Sequence, residues 1–325
     1  MRITFINVGY GDAILFEGSN GYTALLDGGG SLPEEFAQSA FRIRAATYFQ
    51  KKNITHLHDI FISHIHEDHV CGLEAVLEQV TVDRIYVPYP VKPFLQGHML
   101  KVGTDVPRSV PLYTAALNAY TRMLQRIVDT DCAVQMLQPG DIIDMGGQMT
   151  AHVLGPKQTA IQVYMQRIEQ VFQSDDGQEV ARILGELDAT SNQTSFLIKF
   201  EMPEMALLAA ADNCPREWDE LPIDLFKNVT VLKLPHHGQG DAISEQIMQC
   251  MPLKAVVTTA SSDRRYGSAN PMVYARLAAM QPENPPQFLF TDERNYPPYF
   301  SQPDGFQAIT LVVDSGNLHP EFIKL

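Results

Sequence analysis

The segment Ser63-His64-Ile65-His66-Glu67-Asp68-His69 sets four potential metal ligands within six residues. Imidazole nitrogen and carboxylate oxygen are the donors that a borderline divalent ion such as zinc accepts. In an extended chain, residues two apart project to the same side, so His64 and His66 can bind one ion together. Asp68 and His69 follow where the chain turns and can address a neighbouring position. The chemistry implied is metal-assisted hydrolysis. A water held by one or two cations loses a proton near neutral pH, and the cations stabilise negative charge developing on a phosphoryl or carbonyl oxygen. Asp68 is the candidate catalytic carboxylate as well as a ligand. Solvated loop histidines would not be packed so densely at a strand end. A serine nucleophile in a G-x-S-x-G setting is absent.

These side chains need a rigid mount. The apolar run His58-Asp59-Ile60-Phe61-Ile62 reads as a buried strand and Cys71–Leu77 as the start of a helix, so the ligands occupy a strand-to-helix turn. Four ligands from one turn leave a metal site incomplete, and two later stretches can supply more. Leu207-Leu208-Ala209-Ala210-Ala211-Asp212 is an apolar strand ending in a carboxylate, which can bridge two cations; the bland alternative is an Asp capping the next turn. Val231-Leu232-Lys233-Leu234-Pro235-His236-His237-Gly238 ends in paired histidines. Adjacent residues of an extended segment point to opposite faces, so one of His236 and His237 is expected to reach an ion, and the spacing does not say which. The other is expected to make a supporting hydrogen bond or to line the pocket. Asp27-Gly28-Gly29-Gly30 and Gly9-Tyr10-Gly11-Asp12 are tight strand ends whose carboxylates are expected to hold the ligand loops. His56, His58, His98, His152 and His319 are isolated and read as surface or turn residues.

The expected strands are Arg2–Asn7, Asp12–Phe16, Tyr22–Asp27, Asp59–Ser63, Arg84–Pro88, a strand region within Asp141–Leu154, Thr194–Glu201, Ala206–Ala211, Val229–Leu234, Ala255–Thr259, Gln287–Thr291 and Ala308–Val313. An amphipathic helix around Leu112–Val128 sits in a proline-bearing stretch, 89–135, that reads as a helical insertion overhanging a pocket. Helical text runs from Gln158 to Leu187, broken at Ser174–Gly177. Prolines between 282 and 303 mark the flanks of Gln287–Thr291 as irregular. Two strand-rich halves with helices between them imply two packed sheets covered by helices, within a single domain of 1–325.

The chain has 325 residues, 45% apolar and 19% charged, with a formal charge of −14. It has no Lys/Arg-rich run, which weighs against a long polynucleotide partner and an anionic lipid surface. The longest apolar run, Met205–Ala211, is too short to span a bilayer. Met1–Val8 alternates like a strand and lacks the apolar core of a signal peptide, so a cytoplasmic protein is expected. Cys71, Cys132, Cys214 and Cys250 show no C-x-x-C spacing and are expected to be free thiols.

Taken in order, Asn7-Val8-Gly9-Tyr10-Gly11-Asp12-Ala13, Leu26-Asp27-Gly28-Gly29, Ser63–His69, Asn192-Gln193-Thr194-Ser195, Asp212 and Leu234-Pro235-His236-His237-Gly238 resemble the metallo-β-lactamase superfamily. More narrowly they resemble the metallo-hydrolase domain of ComEC-type DNA-uptake competence proteins. The resemblance implies a four-layer αββα sandwich with a dinuclear site at one edge. By position, His64 and His66 would hold a first metal, Asp68, His69 and His236 or His237 a second, and Asp212 would bridge them. Many members place a third histidine on the first metal, where this chain has Asn192. Two zinc ions are expected; because amide oxygen is a poorer zinc ligand than imidazole, the first site is expected to be the weaker one and to suit a harder ion such as manganese as an alternative. Where relatives carry Tyr-Gly-His-Pro, this chain has Tyr266-Gly267-Ser268-Ala269-Asn270-Pro271. Arg264, Arg265 and Tyr266 could meet an anionic group there, though exposure in a polar loop is the commoner fate of such arginines.

The expected activity is hydrolysis of a small or short, nucleic-acid-like phosphodiester. Hydrolysis of a lactone, lactam or thioester by the same centre is the alternative, and a non-catalytic metal-binding or regulatory module is a third reading.

Overall fold

A computed structural model describes residues 1–292, 299–300, 302–314 and 317–325. Its strands are β1 (Arg2–Ile6), β2 (Ile14–Glu17), β3 (Thr23–Leu26), β4 (His56–Phe61), β5 (Thr81–Val87), β6 (Ala133–Met136), β7 (Ile142–Asp144), β8 (Thr150–Gly155), β9 (Leu197–Met202), β10 (Met205–Ala209), β11 (Val231–Lys233), β12 (Ala255–Thr258), β13 (Gln287–Phe290), β14 (Ala308–Asp314) and β15 (Asn317–Ile323). One sheet has the order β15-β14-β1-β2-β3-β4-β5-β6, and the other β13-β12-β11-β10-β9-β8-β7.

The two-residue period of the strands builds the layers. In β3, Ala24 and Leu26 enter an apolar cluster between the sheets, where they meet Leu207 and Ala209 of β10 and Ala255 and Val257 of β12. The intervening Leu25 points the other way, into a cluster formed with helices Ala45–Lys52, Ser109–Ile127, Gln158–Gln173 and Gly177–Ser191. On the far side, Leu208, Leu232 and Val256 pack against Trp218, Phe226 and helix Pro271–Met280. Three apolar layers divide four structural ones. The molecule is the αββα sandwich that the resemblance implied, with the two packed sheets that the strand pattern suggested.

Strand direction then determines where chemistry can gather. β3, β4, β5 and β6 run parallel, as do β10, β11, β12 and β13. The C-terminal ends of β3, β4, β10 and β11 feed Asp27, Ser63–His69, Asp212 and His236–His237 into one crevice. Outside the carboxyl ends of parallel strands is where open α/β sheets generally bind ligands.

Element boundaries differ from the sequence reading in instructive ways. The strand region Asp141–Leu154 is two strands, β7 and β8, separated by a turn in which Gly146 and Gly147 adopt positive φ. The Thr194–Glu201 strand begins only at Leu197, because Asn192–Thr194 is a short 3-10 turn. Two strands went unread. β6 begins within the 89–135 stretch, and its half-exposed Ala-Val-Gln-Met is too short to show a period. β15 contains Pro320, which a sheet tolerates at an edge such as this one. The irregular flank expected after Gln287–Thr291 lies mostly outside the described residues. Among the described residues, no helix is long and apolar enough to cross a membrane.

Leu207 is fully buried between the sheets, whereas Ile142 is 64% exposed. Leu207→Ala should therefore lower unfolding free energy by about 2–5 kcal/mol in urea titrations. Ile142→Ala should change it by under about 0.5 kcal/mol.

Candidate metal centre

The crevice is organised from the inside outward. Asp27 adopts a left-handed backbone (φ 56°) at the end of β3. Its carboxylate accepts the Ser63 backbone N–H at 2.7 Å and the Ser63 hydroxyl at 2.5 Å, and lies 2.8 Å from His69 Nδ1. With Nδ1–H donated to Asp27, His69 turns Nε2 toward the crevice, as supporting carboxylates commonly make histidine ligands do. Across the crevice, His237 donates Nδ1–H to the Thr259 carbonyl at 2.6 Å and likewise presents Nε2. His66 Nε2 faces Asp188, 3.4 Å from its carboxylate and 3.3 Å from its carbonyl, leaving Nδ1 for the crevice.

The inward atoms fall into two groups that share Asp212. His237 Nε2 is 3.0 Å from Asp68 Oδ2 and 3.2 Å from Asp212 Oδ1, and His69 Nε2 is 3.4 Å from that same Asp212 oxygen. His64 Nε2 lies 3.0 Å from His66 Nδ1 and 4.0 Å from the second Asp212 oxygen, Oδ2. Asp68, His69, Asp212 and His237 could hold one ion, and His64, His66 and Asp212 another. His69 Nε2, His237 Nε2 and Asp212 Oδ1 are buried without a hydrogen-bond partner. Buried polar atoms left this way are costly, and a cation between them would satisfy all three. The donor set fits a divalent metal.

The two groups differ electrostatically. Burial and the neighbouring His69 and His66 push His64 well below the ordinary imidazole range, so it is neutral with a free lone pair. Burial opposes charge on His69 and His237 as well, but Asp212 and Asp68 outweigh it. His69 is held well above the ordinary range and His237 at about 9. Burial would likewise raise Asp212, yet His237 and His69 draw it well below the usual carboxylate range.

His236 is left out of both groups. The Pro235–Gly238 segment is no strand extension: His236 and His237 both have left-handed backbones, with φ of 48° and 52°. This tight turn sends the two rings apart. His236 Nδ1 sits 3.1 Å from Asp241, and its Nε2 accepts the Asn192 side-chain N–H at 3.1 Å. Asn192 Oδ1 is buried without a partner. Cys214, whose Sγ is 3.1 Å from Asp241, joins His236 and Asp241 at the rim. All four cysteines are free.

Several supporting residues escaped the sequence reading. Lys233 is fully buried, 2.5 Å from Asp12, whose other oxygen accepts the Thr259 hydroxyl at 2.5 Å. The available signal was a lysine inside the apolar run Val231–Leu234. Asp188 precedes Asn192 by one helical turn, and the Ser191 hydroxyl bonds the Ile65 carbonyl at 3.0 Å, which ties that turn to the His64–His66 segment. The crevice opens into a cavity of about 370 Å³ lined by His66, Asp68, Asn192, Asp212, His236 and Arg265, among others. Arg265 pairs with Glu35 at 2.6 Å and Asp263 at 3.0 Å.

A family model described as the metallo-beta-lactamase superfamily matches residues 6–164. This match spans just under half of the chain, and the αββα sandwich is consistent with the likeness. Among individual proteins, ComE operon protein 3 of Bacillus subtilis (strain 168) is 21% identical over 277 residues, covering 82% of this chain and 29% of that protein. The chain thus spans less than a third of the length of that relative. Solved structures similar to the chain include a diphosphatase of the PhnP family, with 11% identity, TM-score 0.46 and coverage of 95% of this chain and 97% of that one. Zn(2+)-bound PqqB from Methylobacterium extorquens is another, with 8% identity, TM-score 0.46 and coverage of 96% and 100%.

Because coordinating imidazoles must be neutral, metal binding should expel the protons that Asp212 and Asp68 hold on His69 and His237. Zinc titration calorimetry at pH 7 in buffers of differing ionisation enthalpy should show release of about one to two protons per chain. The release should shrink as pH rises past the His237 value of about 9.

Proposed function

We propose that the chain is a metal-dependent hydrolase acting on a small or short phosphodiester. The observation that carries this reading is the sharing of Asp212 between two donor groups that open into one cavity. His64 and His66 with Asp212, and Asp68, His69 and His237 with Asp212, would hold two divalent cations, zinc or manganese. When bound, these supply a water acidic enough to attack at neutral pH and positive charge to match that developing on the phosphoryl oxygens.

The remaining roles fall to the chain's own residues. Asp68 is the least buried of the clustered carboxylates, with its side chain 17% exposed toward the cavity, and is assigned the additional task of orienting the attacking water. Asp27, Thr259 and Asp188 keep His69, His237 and His66 in the required orientation. Tyr10 packs its ring 4.3 Å from His237, and burial together with Asp68 and Asp212 holds its phenol well above the ordinary range. It therefore shields the centre as a neutral group. Among the described residues lining the cavity, Arg265 is the one lysine or arginine; it is paired with Glu35 and Asp263, and an anionic substrate would compete with these carboxylates for it.

The phosphodiester preference is supported by this arginine and by the motif resemblance to competence-type domains. The net charge of −14 favours a short ligand over a long polyanion. The corresponding partner is a small-molecule or short nucleic-acid substrate in the cytoplasm, without membrane engagement.

The purified chain, supplied with zinc or manganese, should hydrolyse bis(p-nitrophenyl) phosphate and leave nitrocefin and lactone panels intact. Activity on the esters or lactams alone would reject the phosphodiester assignment. Asp68→Ala should abolish turnover; purified protein that binds no metal, with every activity unchanged by Asp68→Ala, would favour a non-catalytic module. Asp188→Asn should cost about 10–100-fold in metal affinity or activity, as loss of a ligand's supporting partner typically does.

A further inference from the structure

At the mouth of the cavity, Tyr266 is 65% exposed while lining the same space as Asp68 and Asp212. Its backbone is left-handed (φ 57°), and Arg264 before it (φ 54°) and Gly267 after it (φ 73°) share that region. For a bulky aromatic residue this conformation is uncommon and strained, and persists only where surroundings enforce it. Here they do. Ala269 N–H donates to the His237 carbonyl at 3.0 Å and Asn270 N–H to the Gly238 carbonyl at 2.9 Å. On the other side Arg265 is clamped by Glu35, which Arg42 holds in turn at 2.7 Å. The loop is tied directly to the metal-facing turn.

The aromatic rings form a path outward from the centre. His237 lies 4.3 Å from Tyr10, and Tyr10 meets Tyr266 edge-on at 5.5 Å. Tyr10 is pinned by a hydrogen bond that its hydroxyl accepts from Gln239 at 3.2 Å. The Arg265 guanidinium sits 5.7 Å from the Tyr10 ring centre. A flat ring is thus held in solvent two ring contacts from the metal-facing histidine, beside a cation.

We propose that Tyr266 is a stacking platform for a nucleobase, so that the substrate is a nucleoside phosphodiester whose phosphate occupies the metal crevice. This rests on the phosphodiester reading above and names its substrate class. Stacking on an aromatic side chain is tolerant of base identity and suits a single nucleotide end, which an acidic protein can accept without a basic groove. Because the backbone that carries the ring is already held, little main-chain freedom is lost on binding.

The test compares adenosine monophosphate, ribose 5-phosphate and inorganic phosphate as ligands of the zinc-loaded chain by calorimetry. Adenosine monophosphate should bind about 5- to 150-fold more tightly than ribose 5-phosphate, the range expected for one stacked base. Tyr266→Ala should erase that gap and Tyr266→Phe should keep it. Tyr266→Gly removes the ring while relieving the backbone strain, so it remains informative if the alanine variant folds poorly. Equal binding of the two phosphates by the unmodified chain, or a gap that survives in the glycine variant, overturns the platform. Cleavage of bis(p-nitrophenyl) phosphate without base preference overturns the platform alone. Base preference without any phosphodiester cleavage overturns the hydrolase reading alone.

Discussion

Four carboxylates, Asp12, Asp27, Asp68 and Asp212, crowd one edge of the sandwich, and the surrounding structure is arranged to keep them there. Asp12 and Asp27 have fully buried side chains, and that of Asp212 is only 4% exposed. Burying a charge without a partner is among the costliest things a fold can do. Asp12 is matched by Lys233 and Thr259, and Asp27 by Ser63 and His69. Asp68 and Asp212 face His69 and His237, with three buried polar atoms among them left for a cation. The candidate metal centre is where the charge compensation of the protein alone stops.

That compensation also joins the two sheets. Asp12 lies in the β1–β2 connection of one sheet, whereas Lys233 ends β11 of the other, and Thr259 follows β12. Their contacts close the edge of the apolar interlayer with a polar seam. Parallel strands on both sides deliver their carboxyl-terminal loops to that seam, so ligand geometry is inherited from sheet packing more than from loop conformation. The outer helices matter for the same reason. Gly177–Ser191 carries Asp188 against His66, and Ser109–Ile127 roofs the cavity with Leu112 and Tyr113.

The two donor groups are unequal. One gathers four side chains and the other three, with Asn192 standing near the latter and hydrogen-bonded to His236. His236 in turn leans on Asp241. The histidine that the centre does not take thus orients the amide at its margin. Beyond this rim, Tyr10 and Tyr266 carry the crevice outward to solvent along aromatic faces.

Much of this is legible in the amino-acid sequence. The density of ligands in His64–His69, the abrupt carboxylate at Asp212 and the paired histidines after β11 are local features, and ligand chemistry depends on side-chain type and short spacing. Strand alternation likewise revealed the layers, because one residue in two must face each apolar cluster. Tertiary structure alone decided the rest. Which of His236 and His237 turns inward depends on two successive left-handed residues, and nothing in a His-His-Gly string shows that backbone. Asp188 and Lys233 acquire roles only because separate elements meet, 122 residues from His66 and 221 from Asp12. A side chain's identity is written where it stands in the chain; its partner across the crevice is set by how the sheets pack.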